Sequence, residues 1–577
     1  MKVKLARTAG FCMGVRRAMA LALTEANSGK RPLFTFGPLI HNKQVLDLLS
    51  SKGVTPVNDL KDLTTGTIII RAHGIPPQTR QAIKKSNLDI VDATCPRVAH
   101  VQAIIRYHTQ KGATAIIVGN KNHAEVIGLV GYSKTPAHVI QSVEDVSALP
   151  ELDQVFVVSQ TTQNELNYRK VVDALRKRYP DIQVFHTICE ATSHRQQEVR
   201  GFAGLVDAVV VVGGFHSGNT LRLAQVSEEA GLTTFHVETA RDLDREKLSG
   251  MKVVGVTAGA STPNWMIKNV VSEIEGIKGK KEPALTHWTK KSLKLLLANN
   301  AIAAAGAFFL AYAAAVLSQR PMDFVFPFLA FLYVYAMHVL NRFLDRGASA
   351  YNDPERAAFL QKHRSFLIVT GIGAIISGLA LSCFVGTSTF LALCAFNVLG
   401  IAYSLPLVPE RIRNRHAYYK IKDIPGSRSL SEALAWVAVI VILPLLESFS
   451  GSPQAAIISA ITVFSMSYTR AILFDFFQAQ GDVIVGTETL PITLGERKTL
   501  ILIRFLIFLT ACLLVSSPLL GLTSSFAFLM LLPLMSLSLC ILAYAKNWLY
   551  PGPRLELLTE GNFFLAGFLA IIWRYLG

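Results

Sequence analysis

Every run of apolar residues long enough to cross a bilayer lies after about residue 294 in this 577-residue chain. A helix needs about 20 such residues to span a hydrocarbon core of roughly 30 Å. The chain is therefore expected to be soluble first and membrane-embedded second. Its hydrophobic content of 51%, with only 17% charged residues, is too apolar for two ordinary soluble domains. No tract is low in complexity and no short solenoid repeat is present, which excludes disordered, collagen-like and mucin-like classes. The formal net charge of +17 suits the phosphates of nucleic acid, lipid headgroups or diphosphate substrates, and does not choose among them.

Lys2, Lys4 and Arg7 lead to Arg16 and Arg17 without an uninterrupted apolar stretch, so no secretory signal is expected and the first half is assigned to the cytosol. Seven scattered cysteines argue against a disulfide framework. Cys383, Cys394, Cys512 and Cys540 fall in apolar spans, where cysteine packs as a small hydrophobe. That leaves Cys12, Cys95 and Cys189.

Within residues 1–280, short β-rich runs at 3–6, 33–36, 67–70, 88–91, 115–118, 155–158, 208–212 and 253–256 each lead into a polar or glycine-containing loop. That is the pattern of parallel strands in an α/β domain, whose ligands bind beyond the carboxyl ends of the strands. The loops collect histidines, Glu125, hydroxyls, amides and two of the three cysteines, a mixture suited to a redox metal centre beside an anionic ligand. A P-loop, a G-x-G-x-x-G fingerprint and a G-x-S-x-G elbow are all absent from the sequence. Cys12, Cys95 and Cys189 are separated by 83 and 94 residues, one per roughly equal unit. Without close C-x-x-C pairs they do not read as a structural zinc site. Three lone thiolates fit an iron-sulfur cluster with one iron left open; three unrelated buried cysteines are the alternative.

Gly10-Phe11-Cys12-Met13-Gly14-Val15, His41-Asn42, Ala72-His73-Gly74, Asp92-Ala93-Thr94-Cys95-Pro96, His123 with Glu125, Gln160-Thr161-Thr162, Cys189 with Ala191-Thr192 and Arg195-Gln196, Ser217-x-Asn219 and Thr257-Ala258-Gly259-Ala260-Ser261 run in order through residues 1–275. This set resembles the 4-hydroxy-3-methylbut-2-enyl diphosphate reductase (IspH/LytB) family of the non-mevalonate isoprenoid pathway. The resemblance implies a trilobed α/β fold around a [4Fe-4S] cluster held by Cys12, Cys95 and Cys189. It also implies a diphosphate bound through His41, His73, Ser217, Asn219 and Ser261, and Glu125 as the proton donor, positioned by Thr161 and His123. An electron donor of ferredoxin or flavodoxin type follows from the same resemblance.

A basic linker is expected over 281–294, with a reductase domain at 1–280 before it and a membrane domain at 295–577 after it. Nine apolar spans are read at 295–318, 322–341, 366–386, 388–407, 430–447, 455–474, 500–519, 523–545 and 562–576, giving an all-α polytopic domain of about nine helices. With a cytosolic start, the loops after spans 2, 4, 6 and 8 face the cytosol. They carry Arg342, Arg346, Arg411, Arg413, Arg497 and Lys546 among other basic residues, whereas the opposite loops carry only Arg320. The positive-inside rule is satisfied, and an inner-membrane, multi-pass location is expected.

Asn341-Arg342-Phe343-Leu344-Asp345, Tyr403-Ser404-Leu405-Pro406 and the segment from Asp475 through Gln478 to Asp482 resemble the UbiA superfamily of intramembrane prenyltransferases. This implies a Mg²⁺ and prenyl diphosphate site at Asn341, Asp345, Asp475 and Asp482. Against the motifs N-D-x-x-D-x-x-x-D and D-x-x-D-x-x-x-D, this sequence has Arg342, Ser349 and Gln478 where acids stand, which lowers metal affinity. An active transferase of unassigned acceptor, a divergent one and a silent anchor remain open for this half. For the first half, a tethered iron-sulfur electron carrier is the alternative; it has no need of Glu125 or diphosphate donors. Expected partners are isoprenoid diphosphates and the lipid bilayer, with no nucleic acid.

Overall fold

The computed structural model describes residues 1–28, 32–61, 63–277, 284–321, 323–344, 353–405, 420–421, 424–447, 452–485, 489–546, 548–549 and 551–576. The chain divides into two compact units, Met1–Glu282 and Pro283–Gly577.

The first unit is three all-parallel, four-stranded sheets. Its strands are β1 (Lys2–Leu5), β2 (Leu33–Phe36), β3 (Val54–Val57), β4 (Thr67–Ile70), β5 (Asp89–Asp92), β6 (Thr114–Val118), β7 (His138–Ile140), β8 (Val155–Ser159), β9 (Gln183–Val184), β10 (Ala208–Val212), β11 (Thr234–Val237) and β12 (Val253–Ala258). The sheet orders are β1-β12-β10-β11, β3-β2-β4-β5 and β7-β6-β8-β9. The chain thus opens one lobe with β1, builds the other two in sequence, and returns to insert β12 between β1 and β10.

The central strands are apolar throughout because each is covered on both faces. Along β10, Val210 and Val212 enter one core while Val209 and Val211 enter another on the opposite face. In β8, Val155 and Val157 face one core, and Phe156 and Val158 the other. The structure adds four strands to those read from sequence: β3, β7, β9 and β11. All four are edges, half covered and of mixed polarity (Val-Thr-Pro-Val in β3), so none produces a continuous apolar run.

The second unit is helical. Among the described residues its apolar segments occupy Ala301–Leu317, Val325–Leu344, Arg364–Val385, Thr387–Ala402, Ser427–Leu445, Pro453–Val485, Glu496–Leu519, Phe526–Ala545 and Pro553–Leu576. Among the described residues, seven helices are long and apolar enough to cross a membrane; Ala301–Leu317 makes an eighth if taken with Ser292–Ala298, from which it is bent by 76°. Thr387–Ala402, at 16 residues, is shorter than a typical span. On Arg364–Val385, Phe366, Val369, Ile376 and Phe384 are exposed, Phe384 by 90%, the outward apolar face that lipid rather than water tolerates.

The expected linker over 281–294 is corrected: residues 284 onward form the helix Ala284–Ala298. No Gly or Pro interrupts that stretch, and its Ala, Leu and Lys residues favour helix. It stops at Asn300, whose φ of 61° is left-handed, a conformation asparagine adopts more readily than most residues.

Candidate functional site

In the first unit, Cys12, Cys95, Cys189, His41, His73, His123, Glu125, Thr161, Ser217, Asn219 and Ser261 line one cavity of about 100 Å³. The local structure explains how residues so far apart in sequence meet. Cys12, Cys95 and Cys189 are each the N-cap of a helix: Met13–Asn27, Pro96–Gln110 and Glu190–Arg200. His123 and Ser217 cap Ala124–Gly131 and Gly218–Glu229 in the same way. Five helix N-termini therefore bring their free backbone N–H groups to one end of the sheets, a setting that favours negative charge.

The three thiols line this cavity together. All three are free cysteines, and Val15 N donates to Cys12 Sγ at 3.4 Å. A Cβ added to Gly14 would lie 2.5 Å from Cys95 Sγ and 3.9 Å from Cys12 Sγ, so only glycine leaves the space in front of both sulfurs. Burial pushes the Cys95 thiol up, and the proximity of Cys12 and Cys189 adds to this. Three soft donors lining one cavity, two of them beside a glycine-cleared space, fit an iron-sulfur group.

Glu125 is buried, with 1% of its surface exposed. Its carboxyl accepts from Thr161 N at 2.6 Å and Thr161 Oγ1 at 2.9 Å. Burial outweighs these two bonds and raises its pKa to about 7. Glu125 N donates to His123 Nδ1 at 3.2 Å, which leaves Nε2 as the protonated nitrogen of the neutral ring. The rings of His41, His73 and His123 lie 4.9 to 5.8 Å apart, centroid to centroid. Burial holds all three below the usual histidine range, His123 at about 4, and Arg71 reinforces the effect. His73 Nδ1 and Asn219 Nδ2 are buried with no partner among the described residues. Ser217 Oγ and Ser261 Oγ are 3.4 Å apart, and Ser261 Oγ donates to His41 O at 3.2 Å. The arrangement offers polar groups to an anion on one side and thiols on the other.

Sequence reading did not assign a role to Arg195 or Glu198. Arg195 is buried on the helix Glu190–Arg200 and donates to Gly10 O at 2.6 Å, behind Cys12. Glu198 accepts from Arg7 N, Thr8 N and Thr8 Oγ1 at 2.6 to 2.9 Å. Both pin the loop that carries Cys12. The signal was present: Thr192, Arg195, Gln196 and Val199 recur at helical spacing, a mostly polar stripe that is buried.

In the second unit a cavity of about 480 Å³ is lined by Asn341 and Asp475 from the expected set. Asp345 lies outside the described residues, and Asp482 is buried behind the lining, 3.9 Å from the cavity-lining Arg428. The lining adds charged groups outside the expected site set: His338, Arg356, Arg428, Arg470, Glu432, Glu556 and Glu560. Arg470 donates to Glu560 Oε1 at 2.9 Å through Nε and also bonds Glu432. Charged residues inside apolar helices are costly enough to serve as a signal in their own right.

These features define a class: a three-lobed α/β protein built around a thiol triad and continued by a bundle of apolar helices. The chain belongs to the LytB protein family, whose model matches residues 3–275, and residues 301–566 match the UbiA prenyltransferase family. It is 45% identical over 278 residues to 4-hydroxy-3-methylbut-2-enyl diphosphate reductase of Citrifermentans bemidjiense, covering 48% of this chain and 98% of that protein. Among solved structures, the E-1-hydroxy-2-methyl-but-2-enyl-4-diphosphate reductase of Plasmodium falciparum is 30% identical with a TM-score of 0.46, covering 47% of this chain and 87% of that one. A UbiA homolog from Archaeoglobus fulgidus bound to GPP and Mg²⁺ is 15% identical with a TM-score of 0.35, covering 47% and 96%.

Proposed function

We propose that residues 1–280 reduce 4-hydroxy-3-methylbut-2-enyl diphosphate to isopentenyl and dimethylallyl diphosphate, the terminal step of the non-mevalonate route. The observation that carries this reading is the meeting, in one cavity, of three helix-capping thiols with a buried carboxyl whose pKa is about 7. A [4Fe-4S] cluster held by Cys12, Cys95 and Cys189 would supply the two electrons that, with one proton to the leaving hydroxyl and one to the allylic carbon, replace the hydroxyl by hydrogen and release water. The chain's own residues do the rest. His41, His73, Ser217, Asn219 and Ser261 grip the diphosphate, with the unpartnered His73 Nδ1 and Asn219 Nδ2 as two of the contact atoms. His123 and Thr161 fix the Glu125 carboxyl, which, with a pKa of about 7, is about half protonated at neutral pH and delivers one proton to the departing hydroxyl so that water leaves.

The electrons come from a ferredoxin- or flavodoxin-type donor. Residues 295–577 hold the protein in the inner membrane as a multi-pass domain with the first unit in the cytoplasm, a reading that the basic loops of the sequence support. Their cavity is of prenyltransferase kind, with an unassigned acceptor. Anaerobic turnover of 4-hydroxy-3-methylbut-2-enyl diphosphate by the purified full chain, with a chemical reductant, tests the main reading. Wild type should be brown and active, and Cys95→Ser should lose both properties, because a hydroxyl is a hard ligand for iron. A fully loaded, active Cys95→Ser protein would overturn it.

A further inference from the structure

Two arginines line the thiol cavity of the first unit, Arg97 and Arg195. Arg97 is half-exposed and sits 3.1 Å from Glu190, so water and a carboxylate both screen its charge. Arg195 is different: only 4% of its surface is exposed. Its guanidinium donates through Nη1 to Ala191 O at 2.9 Å and through Nη2 to Gly10 O at 2.6 Å. Ala191 stands two residues after Cys189, and Gly10 two residues before Cys12. One side chain thus ties together the backbone beside two of the three thiols. Its remaining nitrogen, Nε, is buried with no hydrogen-bond partner among the described residues.

Carbonyl oxygens satisfy donors but do not cancel a charge, and a charge buried without an anion costs several kcal/mol. Burial pushes the Arg195 pKa down, and the charges that oppose this are, in order of strength, those of Cys12, Cys189 and Glu198. Glu198 acts from beyond ion-pair distance, and its carboxylate is already occupied by Arg7 N, Thr8 N and Thr8 Oγ1. The two thiolates are therefore the main counter-charge that the fold supplies to this guanidinium. The histidines of the same cavity do not compete for them. Burial holds His41, His73 and His123 below the usual histidine range, so they are neutral where the arginine is charged.

We propose that Arg195 is the built-in counter-charge of the iron-sulfur group that Cys12, Cys95 and Cys189 hold, and that it raises the reduction potential of that group while fixing where Cys12 and Cys189 stand. The inference rests on the reductase reading of residues 1–280. Each electron taken up adds negative charge, and a fixed cation in a low-dielectric setting favours the more negative state. Net charge, hydrogen bonding and exclusion of solvent are the means by which a protein sets such potentials, and a guanidinium keeps its charge at any working pH. Arg195 is a positioning residue: it acts through the thiolates, and proton delivery belongs to Glu125.

The test is a redox titration of the full chain, purified anaerobically and followed by its visible absorbance without substrate, with iron per chain measured alongside. Arg195→Gln, which removes the charge, should shift the one-electron equilibrium about tenfold toward the oxidised state, a drop of about 59 mV. Arg195→Lys, which keeps the charge and loses the fork, should stay within about threefold of wild type. It should also melt at a lower temperature, because an ammonium does not span both carbonyls as the fork does. An arginine that merely holds the backbone would lower iron loading or melting temperature in both variants and leave the potential unchanged. That result, or a lysine variant that falls as far as the glutamine one, would overturn the inference. Should Arg195→Gln load no iron, rescue of loading by Arg195→Lys supports the counter-charge, and a lysine variant equally free of iron overturns it. Wild type without iron would remove the reductase reading and this inference together. A brown, active wild type beside an Arg195→Gln protein of unchanged potential removes this inference alone.

Discussion

Glu125 accepts two hydrogen bonds that favour its anion, and burial still wins, holding its pKa near 7. The sign of the consequence for stability follows from linkage. Between the ordinary value of 4.5 and about 7, the folded protein keeps a proton that the unfolded chain has lost. The stabilising contribution is complete below pH 4.5, falls as pH rises through about 7 and is flat beyond, a span worth roughly 3 kcal/mol at about 1.4 kcal/mol per unit. Glu125→Gln should flatten that profile and be more stable than wild type at pH 8, as read by urea unfolding of the full chain at pH 5 and pH 8. Its turnover should fall by about 10² to 10⁴-fold, while wild-type turnover should decline as pH rises above about 7. Sequence reading could name Glu125 because its neighbours carry a pattern. It could name Arg195 within a motif but not its role, which comes from a bond to Gly10, 185 residues away.

At the level of elements, the site is an assembly of helix starts. Three sulfurs at N-caps inherit their positions from sheets whose central strands are buried on both faces, so small displacements of a helix translate into displacements of a ligand. Gly14 sits in the first turn of one such helix, next to the sulfur of another. Gly14→Ala should leave the helix intact, since alanine is the better helix former. Its methyl group, placed 2.5 Å from Cys95 Sγ, should push that sulfur aside and cut iron loading severely. Iron content and visible absorbance per folded protein would report this, and an unchanged cluster would show that the space serves another purpose. The central strands β4, β6, β8, β10 and β12 were legible as apolar runs because both their faces are covered, whereas the edge strands β3, β7, β9 and β11 are short or of mixed polarity and left no comparable trace.

The two units differ in what solvates them, and the sequence registered this as a change from short buried runs to long apolar ones. It was less informative about where the second unit begins, because the lysine-rich stretch that reads as a linker forms the helix Ala284–Ala298. It also left out the cavity's ion pairs, whose partners, such as Arg470 and Glu560, lie on different helices. Because the first unit contains all three sheets and the whole thiol-lined cavity, residues 1–282 expressed alone should be soluble, load iron and turn over substrate at a rate similar to the full chain. Fractionation and an anaerobic assay would check this; an aggregated or iron-free product would mean that the helical unit is needed to fold the first. The return of the chain to insert β12 between β1 and β10 also sets an order of events at the ribosome. β1 is made first but has no neighbour until residues 253–258 emerge, so the opening strand waits while the other two lobes are synthesised. The first apolar helix starts at Ala301, 43 residues after Ala258, which is about 2 to 9 s of synthesis at 5 to 20 residues per second. That short interval separates completion of the last sheet from the arrival of a segment that insertion machinery recognises, so the first unit closes its fold just before the nascent chain is handed to the membrane.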